Sequence, residues 1–96
     1  YGSCATEKKV YVGKGIKYFS KLGVAEFAIE AADFKKGDKL LITGPTTGVI
    51  YMTADEIRYD LNPVDDALKG QRISMPVPSK VRPSDKLFKL EQVVID

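Results

Sequence analysis

Hydrophobic and polar residues alternate along most of the chain, in short runs separated by turn residues. Alternation with a period of two is the pattern of a β-strand that buries one face. The run from Val24 to Glu30 shows it clearly, because Ala25, Phe27 and Ile29 alternate with charged or small residues. The pattern predicts six or seven strands, drawn from the runs at residues 8–19, 24–30, 39–43, 49–53, 55–60, 71–77 and 86–95, the last of which is one strand or two short ones.

Turn-forming residues divide these runs. Lys36-Gly37-Asp38 precedes the third strand, and Gly44-Pro45 ends it. Gly13 and Gly15 lie inside the first strand, where glycine indicates a bulge, a bend or a close backbone approach. Residues 64–70 allow a single helical turn, because acidic residues begin the segment and a glycine ends it.

These patterns together predict an all-β fold. The number and spacing of the strands favour a small antiparallel β-barrel of six to seven strands, with at most one short helical turn. The 96 residues suit one domain, and we expect a flexible N-terminal tail at residues 1–7 and a single barrel domain at 8–96. The predicted core consists of Val10, Val12, Ile16, Ala25, Phe27, Ile29, Leu40, Ile42, Ile57, Ala67, Ile73, Met75 and Leu87.

Composition narrows the chemistry that the chain can carry. It has no histidine, which excludes acid–base catalysis and metal ligation by imidazole. One cysteine excludes an intrachain disulfide. No apolar run approaches the roughly 20 residues of a membrane helix, and the first residues lack a signal-peptide pattern. We therefore expect a cytoplasmic protein without a membrane, metal or cofactor site.

Three short motifs are candidates for catalytic or binding sites. Gly13-Lys14-Gly15 lacks the spacing of a phosphate-binding loop. Cys4 has no histidine to activate it. Asp65 and Asp66 are adjacent carboxylates of a kind that usually faces solvent, although a catalyst using carboxylates alone stays an alternative. We accordingly expect no catalytic residues in this chain.

Charge is distributed unevenly along the sequence. The net charge is +2, yet Lys8 to Lys21 holds five lysines and no acid, so the remainder is net −3. Aromatic residues are interleaved with these lysines, and that combination can follow a nucleic-acid backbone and stack on bases. An ordinary solvated strand face is the alternative. The candidate nucleic-acid-binding residues are Tyr11, Lys14, Lys17, Lys21, Lys35 and Lys36.

The order of these motifs resembles the second, β-barrel domain of translation GTPases such as elongation factor Tu. The resemblance is carried by segments that cover roughly residues 9–90, with Ser84 where those factors usually have glycine. The segments are Leu22 to Ala25, Phe34 to Leu40, Ile42 to Gly44, Ala67 to Ile73 and Val81 to Phe88. The resemblance implies a translation-protein barrel whose partner is tRNA or ribosomal RNA.

The Pro83 to Phe88 closure, together with Phe34 and Gly44-Pro45, is more similar still to the C-terminal barrel of collagenase-like peptidases. Relatives of that family take part in tRNA and ribosomal RNA hydroxylation. The sequence thus supports a non-catalytic module that binds RNA. The alternative is a protein-interaction or substrate-gating accessory domain with a peptidase-like partner, for which Tyr51 and Tyr59 are the candidate contact residues.

Overall fold

The computed structural model describes the backbone of residues 4–95 and the side chains of residues 7–92. It is all-β, as predicted. The strands are β1 (Cys4–Phe19), β2 (Val24–Ile29), β3 (Phe34–Lys35), β4 (Lys39–Gly44), β5 (Gly48–Thr53), β6 (Ile57–Tyr59), β7 (Asn62–Val64), β8 (Asp66–Ala67), β9 (Arg72–Pro76) and β10 (Lys86–Ile95). None of the described residues lies in a helix that is long and apolar enough to span a membrane.

Eight of the strands form one antiparallel sheet in the order β5-β4-β10-β1-β2-β9-β6-β7. The sheet is not closed by hydrogen bonds between its outermost strands, β5 and β7. The described residues form ten strands, more than the six to seven predicted. The sequence pattern did not reveal β3, β7 and β8, because strands of two or three residues are too short to show alternation. The segment at 64–70 contains β8, which pairs with β3, in place of a helical turn.

The first strand crosses the middle of the sheet and changes partner along its length. Its first part pairs with β10 and its last part with β2, and Gly13 pairs with both Leu87 and Ile29. The register shifts between Tyr11 and Gly13 and again between Gly15 and Lys17, which confirms the predicted bulges. A Cβ on Gly13 would stand 1.8 Å from the carbonyl oxygen of Ala28, so only glycine fits there.

The core lies on the inner face of this sheet, and eleven of the thirteen predicted core residues are buried in it. The two others, Val10 and Ile16, are only partly buried. In β2 the alternation of the sequence is reproduced residue by residue. Five buried hydrophobic residues were not predicted, and they are Phe34, Leu41, Ile50, Ala54 and Val81.

A buried carboxylate secures the turn that leads into β10. Asp85 is 2% exposed, and its Oδ2 accepts hydrogen bonds from the Thr47 hydroxyl and from the backbone N–H of Arg82 at 2.9 Å. Its side chain packs on Gly44, where a Cβ would lie 2.0 Å from Asp85 Oδ1. Ser84 beside it has a φ of 73°, at the position where the sequence departs from the expected glycine.

A two-stranded ribbon extends from one end of the sheet. Cys4 to Val10 pair with Ile95 to Lys89, whereas β4 pairs with β10 only at residues 86–89 and β2 begins its pairing at Gly13. The tail predicted at residues 1–7 therefore overlaps β1 from Cys4 onward. Residues 1–3 lie outside the described residues.

Candidate functional site

A row of apolar side chains crosses the outer face of four strands. Cα partners in adjacent strands share a face, and the register links Tyr11 of β1 to Phe88 of β10, Phe88 to Leu41 of β4, and Leu41 to Tyr51 of β5. The neighbours of Leu41 along β4, Leu40 and Ile42, point into the core. By the alternation of strands this row therefore lies on the opposite, outer face.

Leu41 shows that this row forms a second apolar layer. It is 4% exposed although it is not part of the core cluster. Leu90, two residues beyond Phe88 in β10, shares its face and is partly buried. We call Tyr11, Leu41, Tyr51, Phe88 and Leu90 the outer patch. Tyr51 is its most accessible member at 68% exposed, and Tyr11 is 36% exposed.

Tyr11 is held in place from two sides. Its ring meets that of Phe88 edge to face, with 5.8 Å between centroids, and its hydroxyl donates a 2.8 Å hydrogen bond to Glu30 Oε1. Desolvation raises the pKa of Tyr11 above its ordinary value, and the hydrogen bond and the charge of Glu30 raise it further. The raised pKa extends the pH range over which the Tyr11 hydroxyl can donate to Glu30. The hydrogen bond and the ring contact with Phe88 together orient the side chain.

Lysines surround the outer patch. Lys9 Nζ lies 5.4 Å from the centroid of the Phe88 ring, a cation–π geometry, and Lys14 Nζ lies 3.8 Å from Glu30 Oε2. Lys39 and Lys86 flank Leu41 and Phe88 on the same face, two residues along β4 and β10. A groove of about 310 Å³ opens beside Leu90, Lys39 and Tyr51.

The predicted nucleic-acid residues are divided among three places. Tyr11 and Lys14 lie at the outer patch. Lys17 stacks over Phe19 with Nζ 5.0 Å from the ring centroid, and Lys21 is in the turn between β1 and β2. Lys35 and Lys36 are at the second, two-stranded sheet, where Lys35 pairs with Asp66 and the Lys36 N–H bonds to the Asp65 carbonyl. The RNA assignment of these residues stays a prediction.

The two tyrosines predicted as protein contacts belong to different strands. Tyr51 is in β5 and is part of the outer patch. Tyr59 is in β6, 40% exposed, and faces Asn62 across a tight turn. Tyr51 lies beside other apolar side chains of the outer face, whereas Tyr59 shares its face of β6 with the buried Ile57.

Sequence reasoning missed Leu41, Phe88 and Leu90, although a signal for them exists. Leu40-Leu41-Ile42 in β4 and Leu87-Phe88 in β10 are apolar at successive positions. A strand that is apolar on both faces is covered on both faces, so these runs indicated a second layer outside the core. Among the described residues, no group of three or more acidic or cysteine side chains is placed to hold a metal ion.

Comparison with known proteins relates the chain to peptidases. It is 63% identical over 92 residues to a collagenase of Porphyromonas gingivalis, a match that covers 96% of this chain. The chain spans 22% of that collagenase. It is 28% identical over 93 residues to an uncharacterized protease of Methanocaldococcus jannaschii, and there it spans 23% of the relative. No family model matches the chain.

The fold has also been seen in a solved structure. The C-terminal domain of a putative U32 peptidase from Geobacillus thermoleovorans superposes with a TM-score of 0.78, covering 83% of this chain and 91% of that one at 21% identity. These relationships confirm the predicted closeness to collagenase-like peptidases, and the chain has the fold of the C-terminal domain of a putative U32 peptidase. The resemblance to translation factors stays a prediction.

Proposed function

We propose that this domain is a non-catalytic accessory domain of a collagenase-type peptidase, and that its partner is a peptidase-like polypeptide. The observation that carries the proposal is the 63% identity over 92 residues to a collagenase of which the chain spans only 22%. Most of that relative lies outside the matching segment. A domain of this extent is well suited to assist a reaction whose catalytic groups lie elsewhere.

The chemistry of the chain supports a non-catalytic role. It has no histidine to serve as a general base. The carboxylate of Asp85 is engaged by Thr47 and by the backbone of Arg82, so it holds a turn. The Tyr11 hydroxyl donates to Glu30. These polar groups stabilise the fold and present an outer face, which is the part of the domain offered to a partner.

RNA binding is the rival function. The lysines of β1 would favour it, but Lys14 lies against Glu30 and the other candidate lysines are distributed over separate elements. The relatives described above are named collagenase and protease. Association with a peptidase-like polypeptide is thus the better-supported function.

The test compares this chain alone with a full-length chimera. In the chimera, the chain replaces the matching 92-residue segment of the Porphyromonas gingivalis collagenase. We expect the chimera to hydrolyse a fluorogenic gelatin substrate and the isolated chain to be inactive. Cleavage by the isolated chain at a rate comparable to the chimera would overturn the non-catalytic role. Tight, salt-sensitive binding of the isolated chain to tRNA would instead favour the rival function.

A further inference from the structure

We propose that the outer patch is the surface through which this domain docks onto the remainder of a collagenase-type protein, at a site where carboxylates surround an apolar centre. This inference rests on the proposed function and adds the contact face and the chemistry of the partner surface.

The apolar row is unusual for a solvent-facing sheet surface. Tyr11, Phe88 and Tyr51 are aromatic, and Phe88 and Tyr51 flank Leu41, which is 4% exposed, on the two adjacent strands. Contiguous exposed apolar groups on a soluble domain mark interaction sites. Tyrosine and phenylalanine are enriched where protein surfaces meet. The row therefore has the composition of an interface centre.

The rest of the same face provides an internal reference. A second row crosses β1, β2, β9 and β6, formed by Lys17, Glu26, Ser74 and Arg58. We call these four residues the polar row. It has the charged and hydroxyl side chains expected of a sheet face in water. A shorter apolar row, Phe19, Val24 and Pro76, lies beside it on β1, β2 and β9. The outer patch differs from that shorter row in crossing four strands and in including the buried Leu41.

Charge indicates what kind of partner fits. Lys9, Lys14, Lys39 and Lys86 lie on or beside the outer patch, against the carboxylates of Glu7 and Glu30. Four lysines against two glutamates leave this face net positive by two. Opposite potentials on two surfaces steer and orient their association. The complementary surface is apolar in the middle and carries Asp or Glu at its rim.

The patch is also ordered before any partner arrives. Tyr11 is fixed by its hydrogen bond to Glu30 and by its edge contact with Phe88. Leu41 is buried beneath its neighbours. Side chains that are already ordered lose little entropy on binding, which raises affinity for a given contact area.

A nucleic acid is a weaker fit to this face. Bases stack on accessible aromatic faces along a positively charged groove. Here the Phe88 ring is covered by Lys9 on one side and Tyr11 at its edge. Two glutamates also lie on the surface that a phosphate backbone would have to follow. A protein surface can match both the aliphatic residues of the patch and the two glutamates beside it.

Hydroxyl-radical footprinting of the isolated chain and of the active chimera tests this proposal without any substitution. We expect the side chain of Tyr51 to be oxidised at least about fivefold more slowly in the chimera, because interface centres exclude water. Tyr59, in β6, is the matched control and should react at the same rate in both. Equal Tyr51 rates in an active chimera would overturn the docking face and leave the accessory role intact.

Reversing the charge of lysines beside the outer patch provides a second test. In the chimera, Lys39→Glu with Lys86→Glu should restore most of the Tyr51 oxidation rate, whereas Lys36→Glu, in the second sheet, should not. Full protection of Tyr51 in the double variant would contradict an acidic partner rim. Protection of Tyr51 in the isolated chain by added tRNA would overturn the choice of a protein partner. Peptide cleavage by the isolated chain would count against the proposed function itself, which separates the two failures.

Discussion

The outer patch and the polar row occupy the same face of one sheet, yet their chemistry is opposite. Both cross four strands and both include residues of β1. The polar row contains Lys17, Glu26 and Ser74, whereas the patch contains three aromatic rings and a buried leucine. The inner core is continuous beneath both. The fold requires an apolar inner face only, so burial of the core does not account for the apolar side chains of the outer patch.

The largest loss of stability is expected from a substitution of Gly13, the residue at which β1 passes from one half of the sheet to the other. Gly13→Ala would place a Cβ 1.8 Å from a backbone carbonyl oxygen. We expect it to lower the free energy of unfolding by about 3 kcal/mol or more, since the backbone must move.

Urea denaturation of the isolated chain measures that change. Gly37→Ala is the matched control, because Gly37 has a φ of 96° and nothing within 4 Å of its Cβ position. It should cost only about 1 kcal/mol, from the left-handed backbone alone. Equal losses for the two variants would show that β1 can shift past Ala28, and the two halves would then not be fixed by this contact.

Leu41 tests whether the outer half is a packed layer. We expect Leu41→Ala to cost about 2 kcal/mol, because it empties a buried site beneath Tyr51 and Phe88. Ser74→Ala in the polar row should stay within about 0.5 kcal/mol. A thermal melt of each variant compares them, and the comparison between the halves fails if Leu41→Ala is as mild as Ser74→Ala.

The turn before β10 should gain stability on substitution. Ser84 has a φ of 73°, so Ser84→Gly relieves a left-handed strain and should raise the free energy of unfolding by about 0.5–1 kcal/mol. Ser79→Gly, at an exposed position without a positive φ, should lower it slightly. Equilibrium unfolding in guanidinium checks both, and a destabilised Ser84→Gly would mean that the hydroxyl itself stabilises the turn.

The smallest effect on stability is expected at the accessible tyrosine of the patch. Tyr51→Ser should change the melting temperature of the isolated chain little, since the ring is 68% exposed. Tyr59→Ser in β6 should be equally mild. The effects of Tyr51→Ser and Tyr59→Ser should differ only where a partner is present. A large loss of stability for Tyr51→Ser would show that the ring contributes to folding.

The sequence predicts those features of the fold that depend on residues close together in the chain. Alternation located β2 and its buried residues because every second residue there faces the core. It could not show β3 and β8, whose pairing of Phe34 with Ala67 joins two-residue segments far apart in sequence. Tyr11 and Tyr51 were assigned to different functions, because only the register through Phe88 and Leu41 places them on one face.

Docking of this domain onto a peptidase-like polypeptide through its outer patch can be measured as binding between two separate proteins. The most direct measurement is calorimetric titration of the isolated chain into the Porphyromonas gingivalis collagenase lacking its matching segment, once circular dichroism shows that protein to be folded. We expect micromolar binding, which is sufficient when the two parts share one chain. Tyr51→Ser should abolish this binding and Tyr59→Ser should preserve it. Absence of binding, or binding that Tyr51→Ser leaves unchanged, would contradict it.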